Sequence, residues 1–157
     1  KKKKLKSKIP IAVKISPDIS DQQIGLISEI LLKYKVSAII VSNTSTNNHK
    51  NLQDIQKYQK GGLSGKPIEE KSNELIAKFY KLLKDKIEII GVGGVDSGKS
   101  AYEKFLAGAS FIQLYTGMVF QGPNIVVKIK KELKEILISD GVKNFKEIIG
   151  RNHRNWL

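Results

Sequence analysis

The 157-residue chain contains no cysteine. Disulfides, thiolate nucleophiles and zinc–thiolate sites are therefore excluded. Arginine is nearly absent: of 28 basic residues, only Arg151 and Arg154 are arginines. Readers of bases and phosphates favour the forked guanidinium, so a net charge of +13 does not by itself make a nucleic-acid binder. The lysines are spread over helix faces, as at Lys78, Lys81 and Lys84, and again at Lys128, Lys130, Lys131 and Lys134. We read them as solvated surface and expect no nucleic-acid partner. Histidine occurs only at His49 and His153, neither in a metal-ligand spacing, so no metal site is expected. His49 falls in a polar loop and reads as solvated. No apolar run approaches the roughly 18 residues of a membrane span. Leu5-Lys6-Ser7-Lys8 breaks up any apolar core behind the leading lysines, which argues against a signal peptide. The chain itself reads as cytoplasmic. It opens on Lys1 rather than Met, as a fragment would.

What is present is the composition of a globular domain, 40% apolar and 27% charged. Short apolar runs alternate with amphipathic helices, the pattern of parallel β/α units. The runs predict strands at residues 9–15, 38–41, 87–92 and 110–114. Ser20 opens the first helix with Gln23 three residues later, a capping box, and Ile24, Ile27, Ile30 and Leu31 give it an apolar face. A polar segment covers residues 45–65. Pro67 suits the start of a second helix striped by Leu75, Ile76, Phe79, Leu82 and Leu83. A short helix is expected over 97–106, a long one after Pro123 and a short one over 144–149. The strands are continuous apolar runs, as expected when both faces of the sheet are covered. Four such units make either a small open sheet or half of an eight-stranded barrel.

Polar and glycine residues gather where these strands end, the rim that holds ligands in parallel α/β folds. Lys14 shares a strand face with Ala12 and Ser16. It either meets a negatively charged cofactor or reaches solvent from an edge. Ser42-Asn43-Thr44 suits a planar, amide-like ligand, and equally an Asx turn or helix cap. Gly61-Gly62-Leu63-Ser64-Gly65 precedes a helix and reads as an anion cradle or a bare turn. Gly91-Val92-Gly93-Gly94 and Tyr115-Thr116-Gly117 end the last two strands, as in the barrel phosphate site. Residues 93–100 also match the P-loop pattern G-x-x-x-x-G-K-[ST], with Lys99 as its lysine. A P-loop enzyme needs a further carboxylate at a strand end to hold Mg²⁺, and the other strands end in Lys14, Ser42 and Tyr115. A P-loop-like nucleotide-binding module stands as an alternative.

Taken together, the motifs resemble the C-terminal half of the quinone-dependent (class 2) dihydroorotate dehydrogenases. The resemblance is carried by Val13-Lys14-Ile15-Ser16-Pro17-Asp18, Ser42-Asn43-Thr44, Gly61-Gly62-Leu63-Ser64-Gly65-Lys66-Pro67 and Ile89-Ile90-Gly91-Val92-Gly93-Gly94-Val95-Asp96-Ser97. Ala107-Gly108-Ala109-Ser110, Gln113-Leu114-Tyr115-Thr116-Gly117 and Ile148-Ile149-Gly150-Arg151-Asn152-His153-Arg154 follow in family order. The resemblance implies strands five to eight of a TIM (β/α)8 barrel, in one incomplete domain. It implies FMN-dependent oxidation of (S)-dihydroorotate to orotate in pyrimidine biosynthesis, with electrons passed to a quinone. Lys14, Ser42, Gly65, Gly94, Tyr115 and Thr116 are then expected to bind FMN, and Asn43 and Thr44 the orotate ring. Ser42 stands where many relatives carry threonine. The family's catalytic base is a serine in the preceding half of the barrel, and no residue here matches its motif. That half, and an N-terminal region that meets quinone at the inner membrane, are expected as missing partners. By itself the chain is expected to be inactive. An inactive remnant of a split or decaying gene is the other reading of the same resemblance.

Overall fold

The computed structural model describes residues 9–47 and 52–157. His49 and the leading lysines lie outside them. Four strands form a single parallel sheet: β1 (Ala12–Ile15), β2 (Ala38–Val41), β3 (Glu88–Val92) and β4 (Phe111–Gln113), side by side in chain order. β1 is shorter than residues 9–15 predict. Pro10 has no N–H to give a ladder, and Ile9 remains exposed.

Five α-helices connect or follow the strands: α1 (Asp21–Lys33), α2 (Glu69–Leu83), α3 (Gly98–Ala107), α4 (Thr116–Gln121) and α5 (Ile125–Ser139). The capping box at α1 forms as expected, Ser20 Oγ accepting from the Gln23 amide and Gln23 Oε1 from the Ser20 amide. Pro67 sits in a 3₁₀ turn, Lys66–Ile68, that leads into α2. α4 was not anticipated. Gly117 and Gly122 argue for a loop there, but Gly117 meets a packing demand, since a Cβ would lie 2.6 Å from the Val95 carbonyl.

All the helices that pack on the sheet do so on one face. Ile15, Ile39, Val41 and Ile89 point to it and bury against Ile24 and Leu31 of α1 and against Leu75, Ile76, Phe79 and Leu83 of α2. Ile112 continues this face under α3 and α5. Phe79, Ile39 and Ile76 are fully buried, and truncating Phe79 to alanine would cost about 3–5 kcal/mol. The opposite face carries Lys14, Ile40, Ile90 and Phe111 in one register row, with Lys14 and Phe111 exposed. No described element covers it, so the expectation that both faces are covered is met within the described residues on the helical face alone. Sequential parallel strands with helices on one side are the winding of a barrel; a doubly wound sheet reverses its strand order and covers both faces.

The C-terminal segment is pinned to the helical layer. The Gly150 and Asn152 amides donate to the Phe105 and Leu106 carbonyls, and Tyr80 Oη donates to the Ile149 carbonyl. His153 stacks edge-on to Tyr80 and bonds the Gly150 carbonyl, so its role here is structural.

Candidate functional site

The eight residues predicted to contact cofactor or substrate all line one cleft of about 240 Å³ at the C-terminal ends of the strands. Lys14 enters from β1, Ser42, Asn43 and Thr44 from the β2 end, Gly65 from the polar segment, Gly94 from β3, and Tyr115 and Thr116 from β4. Ser64, Gly93 and Gly117 join the wall, with Ile68, Val92, Val95 and Leu114 as its apolar part; the motifs name the first three, but only the fold shows that they meet.

The polar segment folds back onto β2. Ser45 and Leu63 exchange two backbone hydrogen bonds, at 3.0 and 2.7 Å, which sets Gly61–Gly65 beside Ser42–Thr44. The contact is close: a Cβ on Gly62 would lie 2.0 Å from Thr44 Oγ1. Asp18, from the loop after β1, ties this junction together. Its carboxylate accepts from Ser45 Oγ at 2.7 Å, the Thr46 amide at 2.7 Å, Thr46 Oγ1 at 3.1 Å and Lys71 Nζ at 2.6 Å. Burial pushes this carboxyl up, but the bonds from Lys71, Ser45 and Thr46 outweigh it and hold it well below the usual carboxylate range.

At the other end the wall is backbone. Gly94 has φ +79°, and a Cβ there would lie 2.3 Å from Glu69 Cβ and 2.8 Å from its Cα. Gly65 has φ +74°, and a Cβ there would lie 2.8 Å from Thr116 Cγ2. Both positions therefore require glycine. Thr116 Oγ1 donates to Ser64 Oγ at 2.9 Å, joining loops 52 residues apart. Lys66 borders this end, and the Glu69 carboxylate 2.5 Å from its ammonium raises its pKa above the ordinary lysine value.

Lys14 is exposed on the open face, and no ion pair joins it to a described residue. It reaches solvent from an edge strand, as one of the two readings has it, and it also lines the cleft. Ser42 is buried, whereas Asn43, Thr44 and Tyr115 are exposed and free to meet a ligand. Asn43 Oδ1 accepts from the Thr44 amide, an Asx-type bond that orients its side chain.

The P-loop pattern does not make a P-loop. Ser97 and Ser100 cap α3 reciprocally, and the Gly98 amide donates to Glu132 Oε2 at 2.6 Å. The amides that would cradle phosphate are turned to the chain's own side chains. Lys99 is 82% exposed and lies 3.9 Å from Glu103. Among the described residues no cluster of His, Asp and Glu could hold a metal ion.

The family model for dihydroorotate dehydrogenase matches residues 1–137. The chain is 41% identical over 148 residues to the dihydroorotate dehydrogenase (quinone) of Bartonella tribocorum, covering 94% of this chain and 41% of that protein. It is 40% identical to the mitochondrial dihydroorotate dehydrogenase (quinone) of Mus musculus over 144 residues, 92% of this chain and 36% of that one. In structure it superposes on the ligand-free DHODH of Eimeria tenella with a TM-score of 0.87 at 35% identity, covering 91% of this chain and 40% of that one. The chain spans about two fifths of the length of the relatives it matches.

Proposed function

The chain belongs to the dihydroorotate dehydrogenase family, and on that premise we propose that it is the second half of a quinone-dependent dihydroorotate dehydrogenase barrel, whose strand ends hold FMN and orotate. One observation carries this reading: the eight residues named by the motifs line a single cleft. The donor set fits a flavin nucleotide. Two glycines leave room for close approach of an anion, hydroxyls of Ser64 and Thr116 stand beside them, and an ammonium faces the other end of the cleft.

In the proposed enzyme, (S)-dihydroorotate is oxidised to orotate and the electrons pass to a quinone. FMN, when bound, supplies the redox chemistry between the two. Gly65, Gly94, Tyr115 and Thr116 hold the phosphate end. Lys14 places positive charge toward the flavin ring, where it favours a negatively charged reduced form, and Ser42 adds a buried hydroxyl. Asn43 and Thr44 offer donors and an acceptor to the substrate's pyrimidine dione. The proton-abstracting serine belongs to the preceding half of the barrel. That half would also cover the open sheet face, and the N-terminal region would carry the route to quinone at the membrane surface. No helix of the described residues is long and apolar enough to cross a membrane.

Titration of FMN with the purified chain tests the reading. We expect saturable quenching of flavin fluorescence, competed by inorganic phosphate. We expect no dihydroorotate oxidation when FMN and a quinone are added. Turnover by the chain alone would show that the base lies within it. Mg²⁺-dependent ATP binding abolished by Lys99→Ala, without FMN binding, would replace the flavin reading with a nucleotide-binding one.

A further inference from the structure

Lys104 of α3 is fully buried, and among the described residues it is the only cation so placed. A charge survives in such a place only where it is hydrogen-bonded or paired. Its Nζ donates to Ser72 Oγ at 3.0 Å and to Asn73 Oδ1 at 2.9 Å. Ser72 in turn donates to the Val92 carbonyl at 2.9 Å. The direction of this relay is fixed by the carbonyl, which only accepts: it takes the one Ser72 hydroxyl proton and leaves the Ser72 oxygen to accept from Lys104. The Val92 carbonyl also accepts from the Ser42 amide at 3.1 Å. One oxygen thus joins the ends of β2 and β3, immediately before Gly93-Gly94. Room for the lysine is reserved in the sheet: a Cβ on Gly91 would lie 3.2 Å from Lys104 Cδ, 3.0 Å from Ile76 and 3.1 Å from Ala109.

The charged groups that face Lys104 are Glu69 of α2, Glu103 of its own helix and Lys66 of the turn before α2. Burial lowers the Lys104 pKa to about 7 in spite of the two carboxylates. Near neutral pH the group therefore exchanges between an ammonium with three N–H and an amine with two, the number of its acceptors.

We propose that Lys104 is a positioning residue for the phosphate end of the cleft, acting through Ser72 on the Val92 carbonyl that anchors both Ser42 and the Gly93-Gly94 turn. The role rests on the flavin reading above. It reaches beyond it because Lys104 touches neither the cleft nor anything in it.

The test uses the full chain and its variants Lys104→Met, Ser72→Ala and the double variant. Lys104→Met keeps the side-chain volume and removes the donor. We expect it to keep its circular dichroism, to weaken FMN binding by about tenfold or more, and to speed amide exchange at Ser42 relative to Ile39. Ser72→Ala should do the same, and the double variant no worse than either single change, because both cut one relay. The wild-type FMN affinity should also vary between pH 6 and 8 in a way that Lys104→Met does not reproduce. Unchanged FMN affinity together with unchanged Ser42 exchange in the folded variants would overturn the proposal. If Lys104→Met does not fold, Ser72→Ala carries the same two readouts. If the wild-type chain binds no FMN, the flavin reading falls, and Ser42 exchange still decides whether Lys104 sets the rim.

Discussion

The two ends of the cleft are built from different materials. At the β1–β2 end the cleft-lining groups are side chains, Lys14, Ser42, Asn43 and Thr44, and they are braced by side chains, with Asp18 gathering Ser45, Thr46 and Lys71. At the β3–β4 end the wall is backbone held open by glycine, and its neighbours stand within 3 Å of where a Cβ would be. The first end is adaptable in the detail of its side chains. The second is intolerant of any added atom. A ligand with a planar, hydrogen-bonding head and an anionic tail matches that division.

The comparison can be broken most sharply at Gly94. Gly94→Ala forces a positive φ on an L-residue and drives a methyl into Glu69, so it should cost about 3 kcal/mol or more in denaturant unfolding and abolish flavin binding. Full binding by a stable Gly94→Ala would mean the rim can move, and the backbone half would not be rigid as described. At the other end, Asp18→Ala strands a buried Ser45 hydroxyl and the Thr46 amide, and should cost about 2 kcal/mol. Here the loss should fall mainly on orotate binding, with phosphate-end affinity kept, which isothermal titration with each ligand would separate.

The Asp18 brace also predicts a pH signature. Its folded pKa lies below the ordinary 3.8, so its contribution is full above 3.8 and is lost progressively as pH falls from there through the lower folded value. Below about pH 4 the wild type should lose stability more steeply than Asp18→Ala, as followed by unfolding at fixed denaturant. Equal slopes would remove the ionic part of the brace. The smallest effect is expected at Lys99→Ala, which should change stability by about 0.5 kcal/mol or less and leave flavin affinity unaltered, because the side chain is exposed and its ion pair long.

Much of this was legible in the sequence, and the reason is locality. β2 lies where its apolar run places it, and the Ser20 and Ser97 caps form where serine meets the start of a helical stripe. The eight cleft residues were named from the family resemblance that short motifs carry, and each motif is a local signal. The errors have the same origin. α4 hid behind Gly117 and Gly122, glycines that signal a turn unless the opposing Val95 carbonyl is known. The P-loop alternative at Gly98-Lys99-Ser100 stayed open for the same reason, because a pattern cannot show that Glu132, 34 residues away, takes the Gly98 amide.

The sequence by itself determined the alternation of strands and helices, their caps, the glycines of the rim and the family to which the motif order points. These follow from hydrogen bonds and steric limits that act within a few residues. The tertiary structure alone decided which sheet face the helices cover, that Ser64 meets Thr116, that Asp18 holds the β2 loop, and that Lys104 is a buried donor rather than one more surface lysine. Burial and electrostatics depend on neighbours brought together from distant parts of the chain. One lysine among 26 cannot announce from its own segment that a glycine on β3 and two polar residues on α2 have made a place for it.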